Sequence, residues 1–330
     1  MLNVAINGLG RIGRATLKIV LDQPALQLTA VNDVLTADNL AYLLKFDTVY
    51  GRWSRDVRAH DSSLSIDGKD YPVLGEKNPA RLPWRQMGVD LIFECTGVFR
   101  KREDLVKHIE AGARFVILSA PAKNDDIPTL IHAVNTTGNA PAQIVSCASC
   151  TTNCITPVVE IMGRRVGIKK ATMTTIHAYT STQAIIDSGR KDFRRGRAGA
   201  ANLVPASTGA ATATTRALPQ YKGKFDGVAV RVPVPVGSLA DLVFVTARET
   251  SVEEVNHVFQ EEAASERYRE VLAVTEEPIV SSDIVHQAYA SIVDLSMTQV
   301  VDGDLVKIMS WYDNEWGYAN QMVREALALA

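Results

Sequence analysis

The sequence predicts an α/β fold: a doubly wound parallel-sheet domain, then an α+β domain on a mixed or antiparallel sheet. Three observations lead there. Short apolar runs alternate with helical patterns through the first half of the 330 residues, the rhythm of parallel strands joined by crossover helices. A glycine-rich turn joins the first run to the first helix. Beyond residue 150 the runs alternate apolar and polar residues, as half-buried strands do. The length suits about two domains. A 46% hydrophobic content can fill two cores, and a net charge of −2 offers no global attraction to nucleic acid or an acidic membrane. No apolar run approaches the ~18 residues of a membrane span, and no signal peptide is read.

The first unit is compact. Leu2 to Ile6 reads as a strand, and Asn7-Gly8-Leu9-Gly10-Arg11-Ile12-Gly13-Arg14 follows. Ile12, Thr16, Ile19 and Val20 have helical spacing. Leu26 to Val31 is a second strand ending at Asn32-Asp33, and the acid lies 20 positions past Gly13. This is the Rossmann-type dinucleotide fingerprint. Gly8 permits the turn, Gly10 lets backbone approach a pyrophosphate, and Gly13 lets helix and strand pack. Helix N–H groups then face the phosphates. Asp33 would accept ribose hydroxyls and repel a 2′-phosphate, which favours NAD.

Residues 34–88 carry weaker signals. Asn39 to Lys45 reads as a short helix, Leu64 to Val73 as a hairpin turning at Asp67-Gly68, and Lys77 to Pro83 as a loop. Val89 to Cys95 is a buried-type strand ending at Thr96-Gly97. Arg102 to Gly112 is helical, with Gly112 as its stop. Phe115 to Leu118 is a strand ending at Ser119, and Thr129 to Val134 and Gln143 to Val145 continue the strand series. Ligands of such sheets bind at the carboxyl ends of the strands, where Thr96, Gly97 and Ser119 sit.

Ser146 to Cys154 comes next, between a strand and a helix reading from Thr152 to Val166. A cysteine at a helix N-terminus meets unpaired N–H groups and the positive end of the dipole. A thiolate is stabilised there, and the thiolate is the nucleophile. Cys150 is therefore the candidate nucleophile. A capping role for small residues, an inert buried thiol and a metal site from Cys147, Cys150 and Cys154 are the alternatives; the metal lacks a fourth ligand. The strand Lys169 to His177 ends 27 residues beyond Cys150, and a Cys–His pair makes a thiolate near pH 7. Residues 181–209 read as a long loop with a basic centre, Arg190 to Arg197, suited to phosphate. Gly227 to Pro235, Ala240 to Ala247 and Leu305 to Trp311 are further strands. Helices start near Ser251 and run from Ala319 to Leu329.

The chain resembles phosphorylating glyceraldehyde-3-phosphate dehydrogenases along its length. The resemblance rests on INGLGRIGR at 6–14, ND at 32–33, ECTG at 94–97, ASCTTN at 148–153, TTIHAYT at 174–180, STGAA at 207–211, RVP at 231–233 and WYDNEWGY at 311–318. It implies an NAD-binding domain at 1–149, to which the C-terminal helix 315–330 returns, and a catalytic domain at 150–314. It implies a homotetramer, with Cys150 as nucleophile and His177 as its partner. Arg11, Ile12, Asp33, Lys77, Thr96, Ser119, Asn314 and Tyr318 would join Gly8, Gly10 and Gly13 on the cofactor. Ser149, Thr151, Thr180, Arg195, Thr208, Gly209 and Arg231 would hold glyceraldehyde 3-phosphate and inorganic phosphate. The implied reaction passes through a cysteine hemithioacetal and a thioester. Erythrose 4-phosphate is the rival substrate, and a non-catalytic nucleotide- or RNA-binding role is the rival of another class.

Two departures stand out. Cys147 occupies a position where the family commonly has Asn. Ser188-Gly189 replaces a bulkier pair, which leaves room for a 2′-phosphate and implies some NADP use despite Asp33. A reactive thiol without a disulfide framework points to the cytoplasm. No specific nucleic acid is expected as a partner.

Overall fold

The computed structural model describes residues 1–136 and 142–328. The expected helix end at Leu329 and the last residue lie outside them. The chain divides into two compact units. The first is Met1–Leu130, Thr136–Ala148 and Met322–Ala330, and the second is Ile131–Asn135 and Ser149–Gln321.

In the first unit, β1 (Leu2–Asn7) leads to α1 (Arg11–Val20), β2 (Leu26–Asn32) and α2 (Ala37–Lys45). Thr36 caps α2 by accepting the Asn39 N–H. A short pair, β3 (Phe46–Asp47) and β4 (Gly51–Arg52), precedes a three-stranded meander of β5 (Val57–His60), β6 (Ser63–Ile66) and β7 (Lys69–Pro72). The expected hairpin is its second half. Then come β8 (Leu91–Glu94), α3 (Arg102–Glu110), β9 (Phe115–Leu118) and β10 (Ile144–Ser146). Five strands form a parallel sheet in the order β10-β9-β8-β1-β2. These strands are largely apolar because helices and loops cover both faces. Trp84, Ile92, Leu105 and Val116 lie in one core cluster. Burying such a side chain contributes about 1.5–3 kcal/mol.

The run Thr129 to Val134 is not a strand. Thr129 makes one bridge to Ser146, and residues 132–135 turn. The reason is local: the Asn135 side chain accepts the Ile131 N–H at 2.8 Å. An amide that captures backbone in this way competes with a ladder.

The second unit opens with α4 (Cys150–Arg165) and β11 (Ile168–Ala178). The basic loop after it is not structureless: it holds a 3₁₀ turn at Arg194–Gly196 and β12 (Val204–Ser207). Then follow α5 (Ala210–Ala217), β13 (Phe225–Val232), β14 (Ser238–Thr246), α6 (Val252–Ala264), β15 (Leu272–Thr275), β16 (Ser291–Val301), β17 (Leu305–Tyr312) and α7 (Trp316–Ala328), whose residues from Met322 on belong to the first unit. Seven strands form one mixed sheet, β12-β13-β11-β14-β17-β16-β15. β11 with β13 and β15 with β16 are parallel, and the other neighbours are antiparallel. Ile155, Val158 and Met162 of α4 share a core with Leu242, Phe244 and Ile308 of the sheet. The parallel pairing of β11 and β13 sets His177 opposite Arg231. No helix of the described residues is long and apolar enough to cross a membrane.

Candidate active site

Two places carry the residues singled out by the sequence, one in each unit. In the first unit a groove lies at the ends of β1, β2 and β8, where the strand order reverses about β1. Gly8, Gly10, Asp33, Lys77 and Thr96 line it. Gly8 has φ +92°, and a Cβ there would come within 2.7 Å of the Thr96 Cα. A Cβ on Gly13 would meet the Gly8 carbonyl oxygen at 1.9 Å, whereas one on Gly10 would meet nothing within 4 Å. Two glycines therefore serve packing, and the third keeps space open at the start of α1. That helix has no side-chain cap and no acid in its first turn. The open cradle and uncapped N-terminus fit a dinucleotide's phosphates.

Asp33 accepts the Leu9 N–H at 2.6 Å and the Leu35 N–H at 2.9 Å, which ties the end of β2 to the glycine turn. Arg11 ion-pairs with Asp47 and lies over the Tyr50 ring. Ile12 sits in the first turn of α1. Ser119 follows β9 and donates its N–H to the Glu94 carbonyl.

In the second unit Cys150 is the first residue of α4, and Ser149 is its N-cap, accepting the Thr152 N–H. Cys150 Sγ lies 3.4 Å from His177 Nε2 and 4.0 Å from Thr151 Oγ1. His177 Nδ1 lies 2.7 Å from the Ala178 carbonyl oxygen, and an Arg231 nitrogen touches the same ring atom. That guanidinium also donates to Ala178 O at 3.0 Å, while its Nε is buried without a partner. Burial and then Arg231 push the His177 pKa down to about 3, so the ring is neutral at pH 7.

The four thiols differ. Burial pushes Cys95 and Cys154 up to about 12 and Cys147 well up. Cys150 is also raised by burial, but it alone has an arginine, Arg231, opposing the rise.

Arg195 donates to Thr182 Oγ1 at 2.9 Å and to the Ser207 carbonyl at 3.4 Å. Thr182 in turn shares a hydrogen bond with Thr180. Thr208 accepts the Ala210 N–H, and Gly209 caps α5. Asn314 Oδ1 accepts from Ser238 Oγ at 2.9 Å, and that hydroxyl accepts the Ala178 N–H. A single hydroxyl thus links Asn314 to the strand end that carries His177. Tyr318 is buried in α7.

The two domain profiles of the glyceraldehyde 3-phosphate dehydrogenases both match. The NAD binding domain matches residues 2–102 and the C-terminal domain residues 149–314. The chain belongs to the glyceraldehyde-3-phosphate dehydrogenase family. It is 47% identical to the enzyme of that name from Streptomyces coelicolor, over 98% of this chain and 96% of the relative. It is 45% identical to that of Geobacillus stearothermophilus over 99% and 98%. A Bacillus subtilis relative, glyceraldehyde-3-phosphate dehydrogenase 1, is 44% identical over the same shares. The α/β architecture, with a parallel first sheet and a mixed second one, is as the sequence predicted.

Beside Cys150 and His177, two residues escaped the sequence reading. Tyr312 places its hydroxyl 2.8 Å from both Thr151 Oγ1 and Thr175 Oγ1, and its ring meets His177 edge-on. Thr175 lies two residues before His177, so strand period puts both on one face. That signal was readable. The Tyr312 contact was not, because it joins positions 161 residues apart.

Proposed function

We propose that the chain oxidises D-glyceraldehyde 3-phosphate to 1,3-bisphosphoglycerate with NAD and inorganic phosphate. The contact that carries this reading is Cys150 Sγ at a helix start, 3.4 Å from a neutral His177 Nε2. The first unit holds NAD through Gly8, Gly10, Arg11, Ile12, Gly13, Asp33, Lys77, Thr96 and Ser119. Asn314 and Tyr318 act on the same cofactor. When bound, NAD supplies the hydride acceptor.

The residues of this chain do the rest. With the Arg231 N–H given to Ala178 O and the ring proton on Nδ1 directed at the same oxygen, Nε2 presents a lone pair to the thiol and acts as base. The Cys150 sulfur adds to the aldehyde carbon, and the proton that His177 took from the thiol passes to the new oxyanion, which gives a hemithioacetal. The helix N-terminus and His177 stabilise the oxyanion, and His177 takes the hydroxyl proton as hydride leaves. The product is a thioester on Cys150. Phosphate attacks that carbonyl, the C–S bond breaks, and the acyl phosphate departs while the thiolate returns. Ser149, Thr151, Thr180, Arg195, Thr208, Gly209 and Arg231 bind the two anions. The partnerless buried Nε of Arg231 supports this, since an oxyanion would accept its proton.

We also assign a homotetramer in the cytoplasm. The exposed Ser188 and Gly189 allow some NADP use. The test is mass spectrometry of protein mixed with aldehyde and NAD, phosphate withheld. An acyl adduct on Cys150, absent from Cys150→Ser, is expected. An adduct elsewhere, or none, overturns the assignment.

A further inference from the structure

A carboxylate is hidden beneath the groove of the first unit. Glu94 ends β8 with no exposed surface, and among the described residues no Lys or Arg pairs with it. A buried charge without a counter-ion survives only if hydrogen bonds replace its water. Four donors converge on it, and the first is fixed by a tautomer. Trp84 Nε1–H donates to His108 Nδ1 at 3.0 Å. An indole can only donate, so Nδ1 is a lone pair and the ring proton sits on Nε2. Nε2 must then donate to Glu94 Oε2, 3.1 Å away. Asn7 Nδ2 donates to the same oxygen at 2.5 Å. Oε1 takes the Thr96 N–H at 2.9 Å and, since an ionised carboxylate only accepts, the Thr96 hydroxyl proton; that hydroxyl in turn accepts the Val98 N–H at 3.1 Å.

The chain of bonds continues past Asn7. Its Oδ1 accepts from Asn32 Nδ2 at 2.7 Å. Asn32 also donates to the Glu76 carbonyl and accepts the Glu76 N–H, both at 2.8 Å. Glu76 precedes Lys77, and both line the groove together with Asn7, Asn32, Thr96 and Val98. One carboxylate oxygen thus grips one wall, Thr96 to Val98. The other, through two asparagines, holds the groove lining at Glu76, next to Lys77.

We propose that Glu94 is a positioning residue for the dinucleotide: its buried charge directs a hydrogen-bond relay that ties the Thr96–Val98 and Glu76 segments of the groove lining to each other. This rests on the groove being the NAD site. A glutamine of the same shape would fill the space equally well. It would offer an NH₂ where two donors already point, and so would release the Asn7–Asn32–Glu76 arm.

The test is an isosteric cycle in the full chain: Glu94→Gln, Asn7→Asp and the double variant. NAD affinity is read by calorimetry. Alkylation of Cys150 by iodoacetamide without NAD serves as the control. We expect Glu94→Gln to weaken NAD binding about tenfold or more, the loss of a charged hydrogen bond. The control rate should stay within about twofold. The double variant should bind NAD better than either single one. There the amide introduced at position 94 can donate to the carboxylate introduced at position 7, which still accepts from Asn32. Unchanged affinity in Glu94→Gln, or losses that simply add, would overturn the proposal. If Glu94→Gln does not fold, recovery of folded, NAD-binding protein in the double variant supports it, and no recovery overturns it. Failure of the unaltered protein to bind NAD would instead defeat the reading of the groove.

Discussion

The three glycines of the first turn make separable contributions, and alanine at each should reveal them. At Gly13 the new Cβ would sit 1.9 Å from the Gly8 carbonyl oxygen, where real contacts exceed 3.0 Å. Backbone must move by more than about an ångström to restore an ordinary contact. Overpacking of this kind costs about 1–3 kcal/mol or more. At Gly8 the Cβ meets the Thr96 backbone at 2.7 Å and φ is +92°, so a similar loss is expected. Gly10 differs. Its φ is −65° and nothing lies within 4 Å, so alanine there costs only about 0.5–1 kcal/mol of capping. A unit of this size shifts its melting temperature by about 2–4 °C per kcal/mol. Gly13→Ala should therefore melt about 2–12 °C lower, and Gly10→Ala within about 4 °C of the unaltered protein. The methyl at Gly10 would occupy the cradle itself, so NAD affinity should fall about tenfold or more with the fold intact. Melting by circular dichroism and calorimetric titration with NAD measure both quantities. If Gly10→Ala kept full affinity, or melted as low as Gly13→Ala, the division of labour argued from Cβ geometry would be wrong.

His177 should make the fold acid-sensitive. Its pKa is about 3 when folded against 6.5 when exposed, so below pH 6.5 the unfolded chain takes up a proton that the folded chain refuses. Stability is then fully present above pH 6.5 and falls as pH drops toward 3, by about 4–5 kcal/mol at most. Urea midpoints at pH 7.5, 6 and 5 should fall less steeply in His177→Gln, and parallel slopes would refute this. Tyr312→Phe removes the hydroxyl shared by Thr151 and Thr175 and leaves two buried hydroxyls short of a partner. It should cost about 1–3 kcal/mol in urea unfolding; an unchanged midpoint would mean that the threonines find other partners.

Local features were readable from the chain. The dinucleotide turn is a strand, three glycines and a helix start within one short segment. Cys150 at a helix N-terminus follows from Ser149 and the apolar pattern beyond it. Errors arose where a neighbour's side chain intervened. Asn135 captures the Ile131 N–H and ends what read as a strand at Thr129 to Val134. Pro205 masked β12, which sits at the sheet edge, where proline is tolerated.

The sequence by itself determined the two kinds of sheet, the glycine cradle and which cysteine stands at a helix start. Each depends on periodicity or capping over a few residues, and such forces act whatever the rest of the chain does. Only the tertiary structure decided that burial and Arg231 lower the His177 pKa, and that Glu94 is a buried carboxyl ringed by hydrogen-bond partners and not a surface acid. Those outcomes depend on strand register between distant segments and on the removal of water. No short stretch of sequence records which groups will share a low-dielectric space.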